Sequence, residues 1–262
     1  MRFFVATIFP QIVECYASYG MVHRAVKKGL LEVHPLDLRN FADNPREVDD
    51  EPYGGFPGMV LKPEPIFRAY DFVVENYGKP FVVATEPWGE RITQKTFEEL
   101  KDKELVFVIC GRYEGVDERV KKIVDKEVSL GDFILSGGEL PALVLIDGTA
   151  RLLEGVLSEP QSLAEDSFKN RWLGYPVYTR PAEFRGMKVP EVLRSGDHKL
   201  VELWKLYKRI EQTVKKRPDL VPPEEDLSEV ERKILDSVRS GKSFEEFLKE
   251  EKKLVRKFRK GR

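Results

Sequence analysis

The stretch SLGDFILSGGELPALVLIDG, residues 129–148, carries four glycines, three of them within its first ten residues. Glycine lets backbone N–H and C=O groups approach a ligand closely, and such loops often bind phosphates. The chain nevertheless contains no GxxxxGK[ST] segment, and SGGELPA does not fit GxGxxG. Neither a P-loop nor a dinucleotide fingerprint is therefore supported. Acidic residues and prolines surround these glycines, so we expect close backbone contacts to a neutral or cationic nucleoside.

Two further glycine-bearing loops follow predicted strands. TEPWGE (85–90) follows a β-rich run at 80–85, and GRYEGVDERV (111–120) follows a run at 104–110. The stretch at 129–148 likewise follows a short run at 127–130. In an open α/β sheet, ligands bind beyond the carboxyl ends of the strands. The three loops together predict one small-ligand pocket at one edge of the sheet.

Charged candidates for chemistry lie in three other places. The long Gly/Pro-rich segment 48–63 contains Asp49 and Asp50, and no predicted strand flanks it. Glu165 and Asp166 lie in an aperiodic segment, and Arg151 precedes it. Loops rich in Gly and Pro are often functional or mobile. Taken singly, each of these groups also fits an ordinary surface loop, turn or solvated charge.

The sequence pattern predicts that a mostly parallel sheet covered by helices positions these loops. β-rich runs at 2–8, 30–36, 80–85, 104–110 and 127–130 alternate with helical patterns over the first 155 residues or so. Two helical stretches close on Gly20 and Gly29, a third covers 63–78, and a fourth follows Gly138. These features predict an α/β fold.

The rest of the chain reads as all-helical. Apolar residues recur at helical spacing over 197–219. Two later helices begin with capping boxes, Ser228–Glu231 and Ser243–Glu246. The segment 158–181 has little periodicity and separates the two compositions, so we interpret it as an interdomain linker.

Composition excludes several classes of protein. The chain has 262 residues, is 41% hydrophobic, and holds no apolar run long enough to span a bilayer. The amino-terminal MRFFVATIFP has no small-residue cleavage site and reads as a first strand. Cys15 and Cys110 form no CxxC, and three scattered histidines do not give zinc-ligand spacing. These features predict a cytoplasmic protein with reduced thiols, no membrane association and no structural metal.

Charge is distributed unevenly along the chain. The net charge is −1, yet residues 161–262 contain 25 Lys and Arg against 18 Asp and Glu. A basic carboxy-terminal part suggests a polyanionic partner, although a solvated helical surface would look the same. The high charged fraction, 34%, with only four Asn and four Gln, is typical of proteins from heat-adapted organisms.

The order of several motifs resembles a known family. IFP, RAVKKGLL, VDDEPYGGFPGM, CGRYEGVDERV, SLGDFILSGGELPAL and EDSF together resemble the bacterial tRNA (guanine-N1-)-methyltransferases, the TrmD family of the SPOUT class. The resemblance runs from the first strand to the helical tail. It departs at Glu86-Pro87-Trp88-Gly89, where the family pattern reads Ser-Pro-Gln-Gly, and at Phe56, where a third glycine is expected.

The resemblance implies a fold and an assembly that the pattern of residues alone does not. It implies a trefoil knot at the carboxyl edge of the sheet, against general expectation, and a homodimer whose active site is shared between subunits. It also implies three regions: a SPOUT methyltransferase domain at 1–157, a linker bearing a catalytic Asp at 158–181, and a small helical tRNA-binding domain at 182–262.

The family transfers the methyl group of S-adenosyl-L-methionine to N1 of the guanine immediately 3′ to the anticodon, which supports reading-frame maintenance. The resemblance therefore implies binding of the cofactor and of the anticodon stem-loop of tRNA. It also implies a part for Mg²⁺, near acids such as Glu114 or Asp166. The implied cofactor-binding residues are Thr85, Glu86, Pro87, Gly111, Tyr113, Glu114, Gly115, Ser129, Leu130, Gly131, Asp132, Phe133, Ile134, Leu135, Gly137, Gly138 and Pro141.

Two residues take catalytic roles by the same resemblance. Asp166 falls on the general base that removes the N1 proton, and Arg151 on the arginine that stabilises charge on the guanine O6. We expect Asp166 to become ordered only when tRNA binds. The implied substrate-binding residues are Asp49, Asp50, Tyr53, Gly54, Gly55, Arg112 and Ser167.

Two alternatives stay open at the level of sequence. One is a SPOUT enzyme of another specificity, such as a ribose 2′-O-methyltransferase. The other is a non-enzymatic RNA-binding protein on an α/β scaffold, which would have no affinity for S-adenosylmethionine.

Overall fold

The computed structural model describes residues 1–157, 167–168 and 171–259. The chain forms two compact units, Met1–Ser158 and Glu159–Arg262. The first unit contains the predicted α/β region, and the second contains the basic helical region. The assignment of the linker and of the domain functions stays a prediction.

A five-stranded parallel sheet with the order β2-β1-β6-β5-β7 forms the centre of the first unit. The strands of this sheet are β1 (Arg2–Thr7), β2 (Glu32–Asp37), β5 (Phe81–Arg91), β6 (Leu105–Cys110) and β7 (Lys126–Ser129). Each of the five predicted β-rich runs is a strand, and the parallel sheet is confirmed.

Helices cover both faces of this sheet, as predicted. They are α1 (Pro10–Ala17), α2 (Gly20–Lys27), α3 (Pro63–Tyr77), α4 (Gln94–Lys101) and α5 (Glu139–Ala150). Alternate residues of each strand point to opposite faces. Phe3 and Val5 therefore pack with α1, α2, α4 and α5, whereas Phe4 and Ala6 pack with α3 on the other side. Burial of both faces explains why the strands read as continuous apolar runs.

Three local expectations need correction. The helix predicted to close on Gly20 ends at Ala17, and Gly20 begins the next helix instead. The loop TEPWGE lies inside β5, because Thr85 and Glu90 both pair with Val128 and the residues between them bulge out of the ladder. The segment 48–63, expected to lack flanking strands, contains β3 (Asp49–Asp50) paired antiparallel with β4 (Val60–Leu61).

The second unit has its own apolar core. Its helices are α6 (His198–Lys216), α7 (Glu229–Arg239), α8 (Phe244–Glu250) and α9 (Lys252–Arg259). Both predicted capping boxes, at Ser228 and Ser243, are confirmed. This region was expected to be all-helical, but it also contains a short antiparallel hairpin, β8 (Glu183–Phe184) with β9 (Met187–Lys188). The sequence pattern missed it because two-residue strands are too short for alternation to show.

Candidate ligand pocket at the carboxyl edge of the sheet

A pocket lies between the bulge of β5 and the ends of β6 and β7. These three strands are neighbours in the sheet, so the bulge and the loops after β6 and β7 meet at one edge. The lining residues come from those loops and from the start of α5: Thr85, Glu86, Pro87, Gly111, Arg112, Gly115, Val128, Ser129, Leu130, Phe133, Leu135, Ser136, Gly137, Gly138 and Pro141. The structure thus brings the three glycine-bearing loops together around one concave site.

Most of the residues implied as cofactor-binding line this pocket. Five do not: Tyr113, Glu114, Gly131, Asp132 and Ile134 lie in the same loops but are not part of its wall. The pocket also includes Val128 and Ser136, which sequence reasoning missed. Both adjoin residues that were named, since each loop contributes a continuous run of backbone.

Gly138 marks the closest approach of two loops. A Cβ atom at this position would lie 1.9 Å from Thr85 Oγ1 and 2.8 Å from the Cys110 Cα atom. The Gly138 N–H donates to the Gly111 carbonyl at 2.9 Å, and the Thr85 hydroxyl donates to the Ile109 carbonyl at 3.1 Å. Only glycine fits here, because any side chain would separate the loop after β7 from the ends of β5 and β6.

Arg112 lies on the pocket wall, although the resemblance implied contact with the substrate. Its guanidinium forms an ion pair with Glu139, the Nη2–Oε2 distance being 3.3 Å, and donates to the Ser136 carbonyl at 3.1 Å. Glu139 is buried and also accepts a hydrogen bond from the Thr7 hydroxyl at 2.7 Å. These contacts join the ends of β1 and β6 to the amino terminus of α5.

Glu86 contributes a buried carboxylate to the pocket. Its side chain follows the point at which β5 leaves its ladder with β7, and the residue is 5% exposed. The pKa of this carboxyl is raised to about 7, mainly by burial; Lys121 opposes the shift, and the nearby carboxylates of Glu127 and Glu118 contribute to it. Groups with perturbed pKa values in clefts are candidates for functional roles.

The acidic segment after β3 lies at a second concavity. Asp50 and Tyr53 line it together with Trp88 and Glu114. Tyr53 is 97% exposed, and Gly54 and Gly55 both have positive φ values in the adjoining turn. Asp49 pairs with Leu61 across the short ladder and lines neither concavity. The structure therefore separates the implied substrate residues of this segment from the glycine-lined pocket.

The structure describes one of the two residues implied in catalysis, Arg151, but not the other, Asp166. Arg151 directly follows α5, where its N–H donates to the Asp147 carbonyl at 3.1 Å. Asp166 lies outside the described residues, so its distance from Arg151 is not defined. Ser167 belongs to the second unit, and its hydroxyl oxygen accepts a hydrogen bond from the Gly174 N–H at 2.8 Å.

Within the described ranges, no three His, Cys, Asp or Glu side chains come together as a metal site would require. No helix in the described part of the chain combines the length and apolar character needed to cross a membrane.

The fold and the pocket define a class: a parallel α/β protein with a concave pocket between glycine loops at the carboxyl edge of its sheet. Comparison with known proteins defines the family within that class. Residues 1–223 match the profile of the family described as "tRNA (Guanine-1)-methyltransferase TrmD". The chain belongs to this family of methyltransferases, which confirms the resemblance seen in its motifs.

Several relatives are similar over nearly their whole length. A tRNA (guanine-N(1)-)-methyltransferase of Aquifex aeolicus (strain VF5) is 69% identical over 97% of this chain and 98% of the relative. One from Persephonella marina is 58% identical over 96% of this chain and 100% of the relative. The crystal structure of tRNA (m1G37) methyltransferase from Aquifex aeolicus superimposes with a TM-score of 0.72 at 65% identity, covering 88% of this chain and 99% of that one.

Proposed function

We propose that this protein is a tRNA methyltransferase that transfers the methyl group of S-adenosylmethionine to N1 of the guanine immediately 3′ to the anticodon. The observation that carries the proposal is the glycine-lined pocket at the sheet edge, in a chain that belongs to the TrmD family. The similar structure from Aquifex aeolicus is that of a tRNA (m1G37) methyltransferase. The modified guanine then supports reading-frame maintenance in the cytoplasm.

The pocket suits a nucleoside cofactor. Gly111, Gly115, Gly137 and Gly138 present backbone at its wall, and Phe133 and Leu135 add apolar surface. Backbone amides and carbonyls at this edge can form hydrogen bonds with an adenine base, so no charged side chain is needed to recognise it. S-adenosylmethionine, when bound there, supplies an electrophilic methyl group. The residues of the chain then have to orient the guanine and remove its N1 proton.

Asp166 is the proposed general base, and Arg151 its partner. N1 of guanine is protonated at neutral pH and is a poor nucleophile, so a carboxylate that accepts this proton accelerates transfer by about 10²–10⁴-fold. A guanidinium beside O6 stabilises the negative charge that develops there. Arg151 directly follows α5, whose first turn lines the pocket. A helix of this length spans about 18 Å, so Arg151 would serve the pocket of the partner subunit in the proposed homodimer.

The region 182–262 of the second unit is the proposed tRNA-binding domain, following a linker at 158–181. Arg185 and Lys188 of its hairpin are exposed cations, as is Arg180 at the end of the linker, and the Arg185 guanidinium lies 5.3 Å from the ring centroid of Phe184. Contacts from such cations to phosphates position an RNA without specifying its sequence. The target base must then leave its stack to reach the active site.

A homodimer with an active site shared between the subunits is the proposed assembly. Helix α1 exposes Ile12 and Tyr16, and α5 exposes Leu140 and Val144. The two helices are packed together, and the Tyr16 hydroxyl donates to Asp147 at 3.0 Å, so their apolar residues lie on one continuous side of the first unit. Contiguous exposed apolar surface marks interaction sites.

We assign no Mg²⁺ site, because the described residues contain no cluster of three or more potential ligands. The part for Mg²⁺ that the family implies is tested by adding EDTA to the methyl-transfer assay.

Methyl transfer to tRNA transcripts tests the proposed function. A transcript with guanine 3′ to the anticodon should accept methyl groups, and one with adenine at that position should not. Nucleoside analysis of the digested product should show N1-methylguanosine. A ribose 2′-O-methylated product would instead assign a different SPOUT specificity. Absence of S-adenosylmethionine binding by calorimetry would indicate a non-enzymatic RNA-binding protein.

A further inference from the structure

Glu86 is a buried carboxylate without a partner. In the described part of the chain it forms no hydrogen bond and no ion pair, although it is 5% exposed. Among the described residues that line the glycine pocket it is the sole carboxylate. The Glu86 oxygens are not among the described side-chain atoms that are fully buried without a partner, so they reach the space of the pocket. They are therefore open to hydrogen bonds donated by a ligand.

The surrounding charges do not satisfy Glu86. Lys121 is engaged elsewhere: its Nζ atom lies 3.1 Å from Glu118 and 3.2 Å from Glu127. The same ammonium lies 4.9 Å from the ring centroid of Trp88. The pKa of Glu86 is raised to about 7 mainly by burial, with the Glu127 and Glu118 carboxylates adding to the effect and Lys121 opposing it. The carboxylate is thus largely removed from solvent, and no described side chain forms a hydrogen bond or ion pair with it.

Gly115 lies beside the carboxylate of Glu86. A Cβ atom at this glycine would lie 3.9 Å from Glu86 Oε2, and the φ of +114° is one that other residues rarely adopt. The rest of the pocket wall is glycine backbone, apolar side chains, three hydroxyl side chains and the guanidinium of Arg112, which is paired with Glu139. A ligand group at this point therefore meets two carboxylate oxygens that no described cation pairs with.

The donor that fits is a pair of hydroxyls. A vicinal diol presents two O–H donors to the two oxygens of one carboxylate, as acidic residues do with ribose in dinucleotide-binding folds. An ammonium group is more strongly hydrated and needs several acceptors at once. Glu86 is the sole carboxylate of this wall, whereas Glu114 lies exposed outside it.

We propose that Glu86 binds the ribose of the cofactor by accepting hydrogen bonds from its 2′ and 3′ hydroxyls, which makes it a specificity-determining residue of the pocket. The inference rests on the proposed function, because it takes the glycine pocket to be the site of S-adenosylmethionine. The family pattern has serine at this position, and a neutral hydroxyl accepts weaker hydrogen bonds than an ionised carboxylate does.

Calorimetric binding to the full chain tests the proposal with three probes: S-adenosylhomocysteine, adenosine and 2′,3′-dideoxyadenosine. Wild-type protein should bind adenosine at least about 10-fold more tightly than the dideoxy compound, since hydrogen bonds to a charged group are strong. E86Q should weaken binding of adenosine and of S-adenosylhomocysteine by the same factor, about 10- to 100-fold. It should change dideoxyadenosine binding by less than about 3-fold.

A control variant distinguishes ribose binding by Glu86 from the effect of removing any negative charge near the pocket. Glu118 is exposed and pairs with Lys121, so E118Q removes a nearby negative charge but no pocket group. It should leave the affinity for adenosine within about 2-fold of wild type. The affinity of wild type for adenosine should also rise with pH through about 7, as Glu86 ionises, and the affinity of E86Q should not.

The outcomes are distinct. Equal affinity of wild type for adenosine and dideoxyadenosine overturns the proposal without any variant. A loss in E86Q for S-adenosylhomocysteine but not for adenosine also overturns it and assigns Glu86 to the ammonium group. Failure of wild type to bind S-adenosylhomocysteine at all overturns the proposed function itself.

Discussion

Arg112 and Glu139 form an ion pair that joins the end of β6 to the first residue of α5 beside the glycine pocket. The Nη2–Oε2 distance is 3.3 Å, and the side chains are 19% and 3% exposed. Arg112 follows β6 and Glu139 begins α5, so the pair fixes the loop between β7 and α5 against the sheet. The Arg112 guanidinium also lies 4.3 Å from the ring centroid of Phe9.

R112A should destabilise the protein by about 3–5 kcal/mol, because it leaves the buried Glu139 carboxylate with the Thr7 hydroxyl as its remaining side-chain partner. Chemical denaturation measures the effect. R119A is the matched control: Arg119 pairs with Asp117 but is 64% exposed, and its loss should cost less than about 1 kcal/mol. Similar losses for both variants would contradict the structural role of the Arg112 pair.

G138A should abolish cofactor binding and lower the free energy of unfolding by more than about 2 kcal/mol, because its methyl group would meet Thr85 Oγ1 and the Cys110 backbone. G111A is the control for stability, since a Cβ atom there would lie 3.5 Å from the Thr85 carbonyl, an ordinary contact. Thermal unfolding with and without S-adenosylhomocysteine measures both effects. A stable, ligand-binding G138A variant would contradict the close approach seen here.

The titration of Glu86 predicts a pH-dependent stability. Its pKa is raised to about 7 in the folded chain, so the folded state binds more protons than the unfolded state between about pH 4.5 and 7. Stability from this group is present below pH 4.5 and is lost as the pH rises through 7. E86Q should therefore be more stable than wild type at pH 8, by on the order of 2 kcal/mol, and similar to it at pH 4.5. Denaturation at both pH values checks the sign; a stabilised wild type at pH 8 would contradict it.

D166N should lower the rate of methyl transfer by about 10²–10⁴-fold while leaving the affinity for S-adenosylhomocysteine within about 2-fold of wild type, because the proposed base acts on the guanine and not on the cofactor. R151A should likewise reduce the rate at saturating tRNA. Single-turnover assays with the full chain measure both. Near wild-type transfer by D166N would remove Asp166 from the mechanism.

Affinity for tRNA should fall steeply with salt, since cations of the second unit release counterions from phosphates. The double variant R185Q/K188Q, on the hairpin, should weaken binding and reduce the slope of log affinity against log salt by about 1–2. K79Q is the control, an exposed lysine of the first unit. Filter binding at several salt concentrations measures the slope, and an unchanged slope would exclude the hairpin from the interface.

The sequence by itself determined the elements of this protein, because local physics specifies them. Apolar runs predicted all five strands of the sheet, and the capping boxes at Ser228 and Ser243 need only residues three positions apart. The three glycine-bearing segments were also predictable as the lining of one pocket, since parallel strands end at the same edge. Motif order was enough to indicate the family.

Tertiary structure alone decided which residues meet. Thr7 and Glu139 are 132 positions apart, and nothing local predicts their hydrogen bond or the Arg112 pair beside it. The bulge at 86–89 arises because both Thr85 and Glu90 pair with Val128, and it leaves Glu86 buried in the pocket without a partner among the described residues. A sequence motif shows that a carboxylate is present, but burial and the absence of a donor are properties of the packed fold. Those two properties give Glu86 its proposed role.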